Sequence, residues 1–143
     1  MSEGREAQGA RQVPEFGFPS DIVAGYHVRL LYYELLDIFC RKGISRASSW
    51  LVQASWDLLS LAEGWLREKG WRTEALELGG RKILLARRAS EGITMGLVAS
   101  RCPDGVVVTA LCSAEDEESV GRALGELGGL MEKVGGGALG PGE

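Results

Sequence analysis

"RASSWLVQASWDLLSLAEGWLREKGW", residues Arg46–Trp71, holds all four tryptophans of the chain: Trp50, Trp56, Trp65 and Trp71. How this stretch folds decides the architecture. On a helical wheel Leu51, Ala54, Leu58, Leu61, Ala62 and Trp65 share one face, and Arg46, Ser49, Gln53, Asp57 and Ser60 form a polar stripe opposite. That period predicts one continuous helix, capped by Ser45 and ended at Lys69-Gly70. Trp50 and Trp56 fall on its two margins, so the apolar surface is wider than one neighbouring helix needs.

Upstream, Pro19-Ser20-Asp21 is a helix start, with Ser20 or Asp21 able to cap the exposed amides. The apolar run that follows predicts a helix to about Lys42, stopped by Gly43 and with Arg41 and Lys42 near its negative end. Val23, Tyr26, Leu30, Leu31, Tyr33, Leu35, Leu36, Ile38 and Phe39 cover more than half its circumference. The link to the next helix is short, so the two are expected to form an N-terminal antiparallel helical hairpin.

Downstream of Trp71 the pattern changes. "TEALEL" and "RKILLARR" flank Gly79-Gly80, and "ITMGLVASR" and "GVVVTALC" flank Pro103-Asp104-Gly105. Both separators are strong turn signals, and "ASEG" makes a third short connection. Four strands joined this way predict an antiparallel β-meander. "VVVTALC" lacks alternation, as expected of a central or doubly covered strand. Ser113 followed by Glu115, Asp116 and Glu117 opens a last helix, with acids at its positive end. Val120, Leu124, Leu127, Met131 and Val134 then form one apolar stripe that suits a sheet face.

The expected fold is therefore α+β in the order α-α-β-β-β-β-α. A single domain over 19–134 lies between tails at 1–18 and 135–143. Within the first tail, Phe16 and Phe18 of "VPEFGFPSD" are expected to fold back on the domain. The order of elements resembles small dimeric α/β adaptors of the secretion-chaperone-like and roadblock-like kind. The likeness is one of topology alone, with no matching motif and a different helix placement, and no function is carried over from it.

A chain of 143 residues, 45% hydrophobic and 25% charged, has the composition of one soluble globular domain. Its net charge of -4 gives no general attraction to nucleic acid or anionic membrane. Three cysteines, Cys40, Cys102 and Cys112, with no CxxC pair, argue against a disulfide framework and a zinc site. The two ends of the second hairpin hold Cys102 and Cys112 too far apart to bridge. The N-terminal residues lack an apolar signal segment, and the run near Leu30–Cys40 is too short and too charged to span a bilayer. The expected location is the cytoplasm, with no membrane contact.

Chemistry is thinly signalled. His27 is the only histidine. It is expected on a solvated stripe with Glu34, Asp37 and Arg41, and no hydroxyl or thiol is placed by sequence to be its nucleophile. There is no GxxxxGK[ST] loop and no βαβ nucleotide unit. The basic run Arg81, Lys82, Arg87 and Arg88 divides between the two faces of a strand, so it is a scattered rather than a concentrated anion contact.

No catalytic residue, metal or cofactor is expected. The leading expectation is a non-enzymatic interaction, assembly or chaperone-like adaptor, a homodimer or part of a larger complex. Its partner face is built on Tyr26, Leu30, Tyr33, Trp50 and Trp56. Two alternatives are a sensor binding a small apolar ligand between hairpin and sheet, and a nucleic-acid or phosphoprotein contact through Arg81, Lys82, Arg87 and Arg88. The overall acidity disfavours nucleic acid.

Overall fold

The computed structural model describes residues 16–35, 43–53, 57–78 and 81–139. In chain order these form α1 (Ser20–Leu35), β1 (Ile44–Val52), α2 (Leu58–Glu68), β2 (Arg72–Leu78), β3 (Arg81–Arg88), a 3-10 turn (Ala89–Glu91), β4 (Ile93–Cys102), β5 (Gly105–Ala114), α3 (Glu117–Lys133) and β6 (Gly136–Ala138). The fold is α+β, with three helices among the described residues and one six-stranded antiparallel sheet. Strand order is β2-β3-β4-β5-β1-β6.

The meander is present as expected. β2, β3, β4 and β5 are neighbours in sequence and in space. Leu78 pairs with Arg81, and Cys102 pairs with Gly105, so each hairpin closes over two residues. Gly105 has φ +147, and a Cβ there would meet Leu51, Val52 and Gln53 at 3.0 Å. Both the conformation and the close approach require glycine. β5 is the doubly covered strand that its lack of alternation predicts, with every residue from Val106 to Ala114 buried.

The Arg46–Trp71 stretch departs from the expectation. It is not one helix, and there is no N-terminal helical hairpin. Ile44–Val52 is a strand, paired with β5 along its whole length from Ile44↔Ala114 to Val52↔Val106. Among the described residues of the stretch only Leu58–Glu68 is helical, capped by Asp57 rather than Ser45. The Asp57 carboxylate accepts from the Leu59 amide at 3.1 Å and from the Ser60 hydroxyl at 2.7 Å. The physical reason lies in Ser45, Ser48 and Ser49. Serine hydroxyls compete for backbone hydrogen bonds and weaken a helix interior, whereas a strand places them on alternating faces at no such cost. Gly70 ends α2 with φ +92, while the Trp71 amide donates back to the Leu66 carbonyl at 3.0 Å.

The C-terminal residues expected as a tail are also partly ordered into the sheet. Gly136–Ala138 pairs with Trp50, Leu51 and Val52, and the Leu139 amide donates to the Ser49 carbonyl at 2.9 Å. At the other end Phe16 folds back as expected, its amide donating to the Arg101 carbonyl at 2.7 Å. Phe18 does not and stands in solvent.

Both faces of the sheet are covered within one chain. On one face Trp50, Val52, Leu84, Leu97, Val108 and Cys112 pack with Leu59, Ala62 and Leu66 of α2. The same core takes in Val120, Leu124, Leu127 and Met131 of α3, the stripe read from the sequence. Among the described residues the other face is covered by α1, with Phe16 and Leu139 packed at its edge. Val23 and Ala24 sit on Cys102 and Val107, and Leu31 and Leu35 sit on Ile83, Leu85, Val98 and Leu111. The three described tryptophans belong to the α2/α3 side. Trp50 and Trp71 are buried, Trp65 is half-buried against the same core, and Trp56 lies outside the described residues.

Candidate functional site: the first helix

α1 meets the sheet through a polar seat set between two apolar patches. His27 is fully buried. Its Nε2 lies 2.7 Å from the Ser100 hydroxyl and its Nδ1 lies 3.1 Å from the Thr109 hydroxyl. Thr109 is in turn 2.8 Å from the Ser49 hydroxyl. Four side chains from α1, β4, β5 and β1 thus form one hydrogen-bonded row. Either neutral tautomer satisfies it, because each hydroxyl can donate or accept. Burial, and then the nearby Arg81 charge, lower the imidazole pKa from 6.5 to about 3. Neutral and sealed from water, His27 is a positioning group that sets where α1 lies on the sheet, and it has no access to a substrate.

This corrects the expectation of a solvated His27 stripe; Asp37 and Arg41 lie outside the described residues. A signal was present in the sequence. Ser100 and Thr109 are hydroxyls flanked on their own sheet face by apolar residues, Val98 and Cys102 for the first and Val107 and Leu111 for the second, and buried hydroxyls are generally paired. A histidine three and four residues from apolar positions on the covering helix is the group that can reach them.

Beside this seat Phe16, Tyr26 and Arg81 form a second cluster. The Arg81 guanidinium lies 4.4 Å from the Phe16 ring centre and 5.4 Å from that of Tyr26. The two rings are 5.6 Å apart, and Phe16 meets His27 edge-on at 6.5 Å. One Arg81 nitrogen is buried without a hydrogen-bond partner among the described residues. The aromatic faces thus carry part of its electrostatic stabilisation.

The rest of the basic run divides as the alternation predicts. Arg88 is on the opposite face, 4.6 Å from the Trp71 ring, where it donates to the Lys69 carbonyl at 2.6 Å and pairs with Glu91 at 3.7 Å. Arg87 is exposed and Lys82 half-buried. Arg81, Lys82, Arg87 and Arg88 are therefore not brought together.

The outer side of α1 and the residue leading into it carry most of the exposed large apolar side chains of the described residues. Phe18 (58%), Ile22 (55%), Tyr26 (40%), Tyr32 (40%) and Tyr33 (79%) are exposed, and Leu30 is half-buried at their edge. Of the large exposed apolar side chains, only Ile44 (37%) is not in or next to α1. Among the residues expected at a partner face, Tyr26, Leu30 and Tyr33 thus gather on one side of one helix. Trp50 is on the far side of the sheet inside the core, its indole against Gly128 of α3.

Cys102 and Cys112 are buried on opposite sheet faces, and burial lifts their pKa values to about 11 and about 12, with Asp104 adding to the first. Such thiols are poor nucleophiles. Among the described residues no three His, Cys, Asp or Glu side chains come together as a metal site requires. No helix among them is long and apolar enough to cross a membrane. No family model matches this chain. Neither the curated proteins nor the solved structures give a match.

Proposed function

We propose that this domain is a non-enzymatic protein-interaction module, an adaptor or assembly unit whose docking surface is the outer side of α1. One observation carries the reading: Ile22, Tyr26 and Tyr33, with half-buried Leu30 at their edge and Phe18 just before the helix start, lie along one exposed side of a helix whose opposite side is used by the sheet. Single exposed apolar residues are common, but a contiguous aromatic-rich stripe is what interfaces display. Tyrosine and phenylalanine give large contact areas with few rotatable bonds, so ordering them on binding costs little.

His27 supports the reading from below. Its hydrogen bonds hold α1 rigidly, and a rigid helix loses less entropy on docking than a mobile one. The test is Ile22→Glu and Tyr33→Glu. Both side chains are exposed, so the fold is expected to survive with unchanged circular dichroism. Each variant is expected to lose self-association or partner binding, read by sedimentation velocity. Unchanged assembly and solubility in both variants would remove the proposal.

A further inference from the structure

We infer that the occupant of the α1 surface is α1 of a second copy of this chain, laid antiparallel across a two-fold axis at Gly25. This rests on the docking role proposed above and adds the partner and its register.

α1 carries three formal charges, Asp21, Arg29 and Glu34. Glu34 is exposed as well, but it lies two turns from His27, on the flank of the helix away from the aromatic stripe. Asp21 and Arg29 fall on the outer half, both exposed, amid the aromatic stripe. Their midpoint in the sequence is Gly25.

A two-fold interface must be self-complementary, with residue i meeting j and j meeting i. If two α1 helices cross antiparallel with Gly25 on the axis, Asp21 of each copy comes level with Arg29 of the other, about 12 Å along the helix from its own Arg29. The same register sets Phe18 of one copy against Tyr32 of the other. A parallel pairing would instead align like charges. Arg29 forms no ion pair among the described residues. Asp21 uses one carboxylate oxygen on the Ile22 amide at 2.9 Å and has another to offer.

Gly25, like the exposed helical glycines Gly64, Gly121, Gly125 and Gly129, has no packing role in the monomer. It is exposed in the middle of a helix, where glycine weakens the structure, and a Cβ there would meet nothing within 4 Å. A crossing point gives it a use, because the absent side chain lets two helices approach closely.

The area also fits. At about 200 Å² per large side chain, the exposed fractions of Phe18, Ile22, Tyr26, Tyr32 and Tyr33 amount to roughly 500 Å². That is close to the apolar part, about 450 Å², of one side of a standard interface.

The experiment is sedimentation velocity on the full chain across a concentration series, with circular dichroism as the check on folding. Wild type is expected at twice the protomer mass. Asp21→Arg leaves two positive charges on the face and Arg29→Asp leaves two negative charges. Each is expected to weaken the dimer at least tenfold, because like charges then meet at both ends of the crossing. An equimolar mixture of these two variants is expected to regain the dimer as a heterodimer, identified by a mass tag on one chain. Gly25→Gln, tolerated in the monomer, is expected to weaken the dimer at least tenfold while leaving the thermal midpoint of the diluted protein unchanged or raised.

A wild-type dimer that Ile22→Glu dissociates but that the charge mixture fails to rebuild would overturn the antiparallel register and leave the docking face standing. A wild type that stays monomeric throughout would overturn the second copy as occupant. A dimer indifferent to Ile22→Glu would overturn both the register and the face.

Discussion

His27 makes the stability of this domain depend on acid in a way that one substitution removes. The unfolded chain takes up a proton on His27 below pH 6.5, whereas the folded chain takes it up only near pH 3. Across that window the unfolded state holds the extra proton, so stability falls as pH falls and is fully present only above pH 6.5. With those two values, lowering the pH from 7.5 to 4.5 costs roughly 2–3 kcal/mol of folding free energy from this group alone. A domain of this size has a urea slope of roughly 2 kcal/mol per molar, so the unfolding midpoint moves down by a little over 1 M.

The assay is urea unfolding at pH 7.5 and 4.5 for wild type and for His27→Gln, which keeps a polar contact with Ser100 or Thr109 and cannot titrate. Carboxylates contribute equally to both proteins, so the difference between the two pH shifts isolates His27. Because the chain has one histidine, its imidazole signals are unambiguous by NMR. They should stay at neutral-ring positions from pH 7.5 to 4.5 in the folded protein. Parallel pH shifts in the two proteins, or a folded imidazole that titrates near 6.5, would refute the argument.

Four further substitutions test the architecture. Trp50→Ala removes a buried side chain lying between β1 and Gly128 of α3, and is expected to cost about 3–5 kcal/mol by urea unfolding. Gly136→Val sets a Cβ 2.8 Å from Val52 Cγ2 and 3.0 Å from the Met131 carbonyl, so β6 should detach from β1. Hydrogen exchange should then accelerate at Gln53 and Leu139, whose amides now donate to Gly135 and Ser49. Asp57→Ala deletes the cap of α2 and should lower stability by about 0.5–2 kcal/mol, whereas Ser45→Ala should cost far less, since Ser45 caps no helix.

The elements that reach their partners through short turns could be read from the chain alone. The pairs flanking Gly79-Gly80 and Pro103-Asp104 are local, and so is the apolar period of α3. β1 was not legible for a physical reason. Its alternation of Arg46, Ser48, Trp50 and Val52 with Ser45, Ala47, Ser49 and Leu51 is weak in hydrophobic contrast, because one row is mostly serine and alanine. The neighbouring helix then extends its own period over it. Asp57 held the information that the helix restarts, being a strong cap directly before Leu58.

The exposed apolar side of α1, proposed above as a docking surface, was half legible. Tyr26, Leu30 and Tyr33 depend only on the period of α1, which is correct. Trp50 was assigned through the helix that Ile44–Val52 does not form. His27 was misplaced because its partners, Ser100 and Thr109, are 73 and 82 residues away.

The position of β1 also governs how the chain can fold. β1 lies between β5 and β6, the last two strands in sequence, while the four-strand meander is assembled from neighbours. Hairpin contacts close short loops and form early; docking β1 on β5 closes a loop of more than fifty residues and is the slow, entropically expensive event. During synthesis Trp50 and Leu51 therefore emerge long before the edge of β5 that accepts them. Until then they are an apolar strand without a partner, the segment on which a chaperone would act and from which misassembly would start.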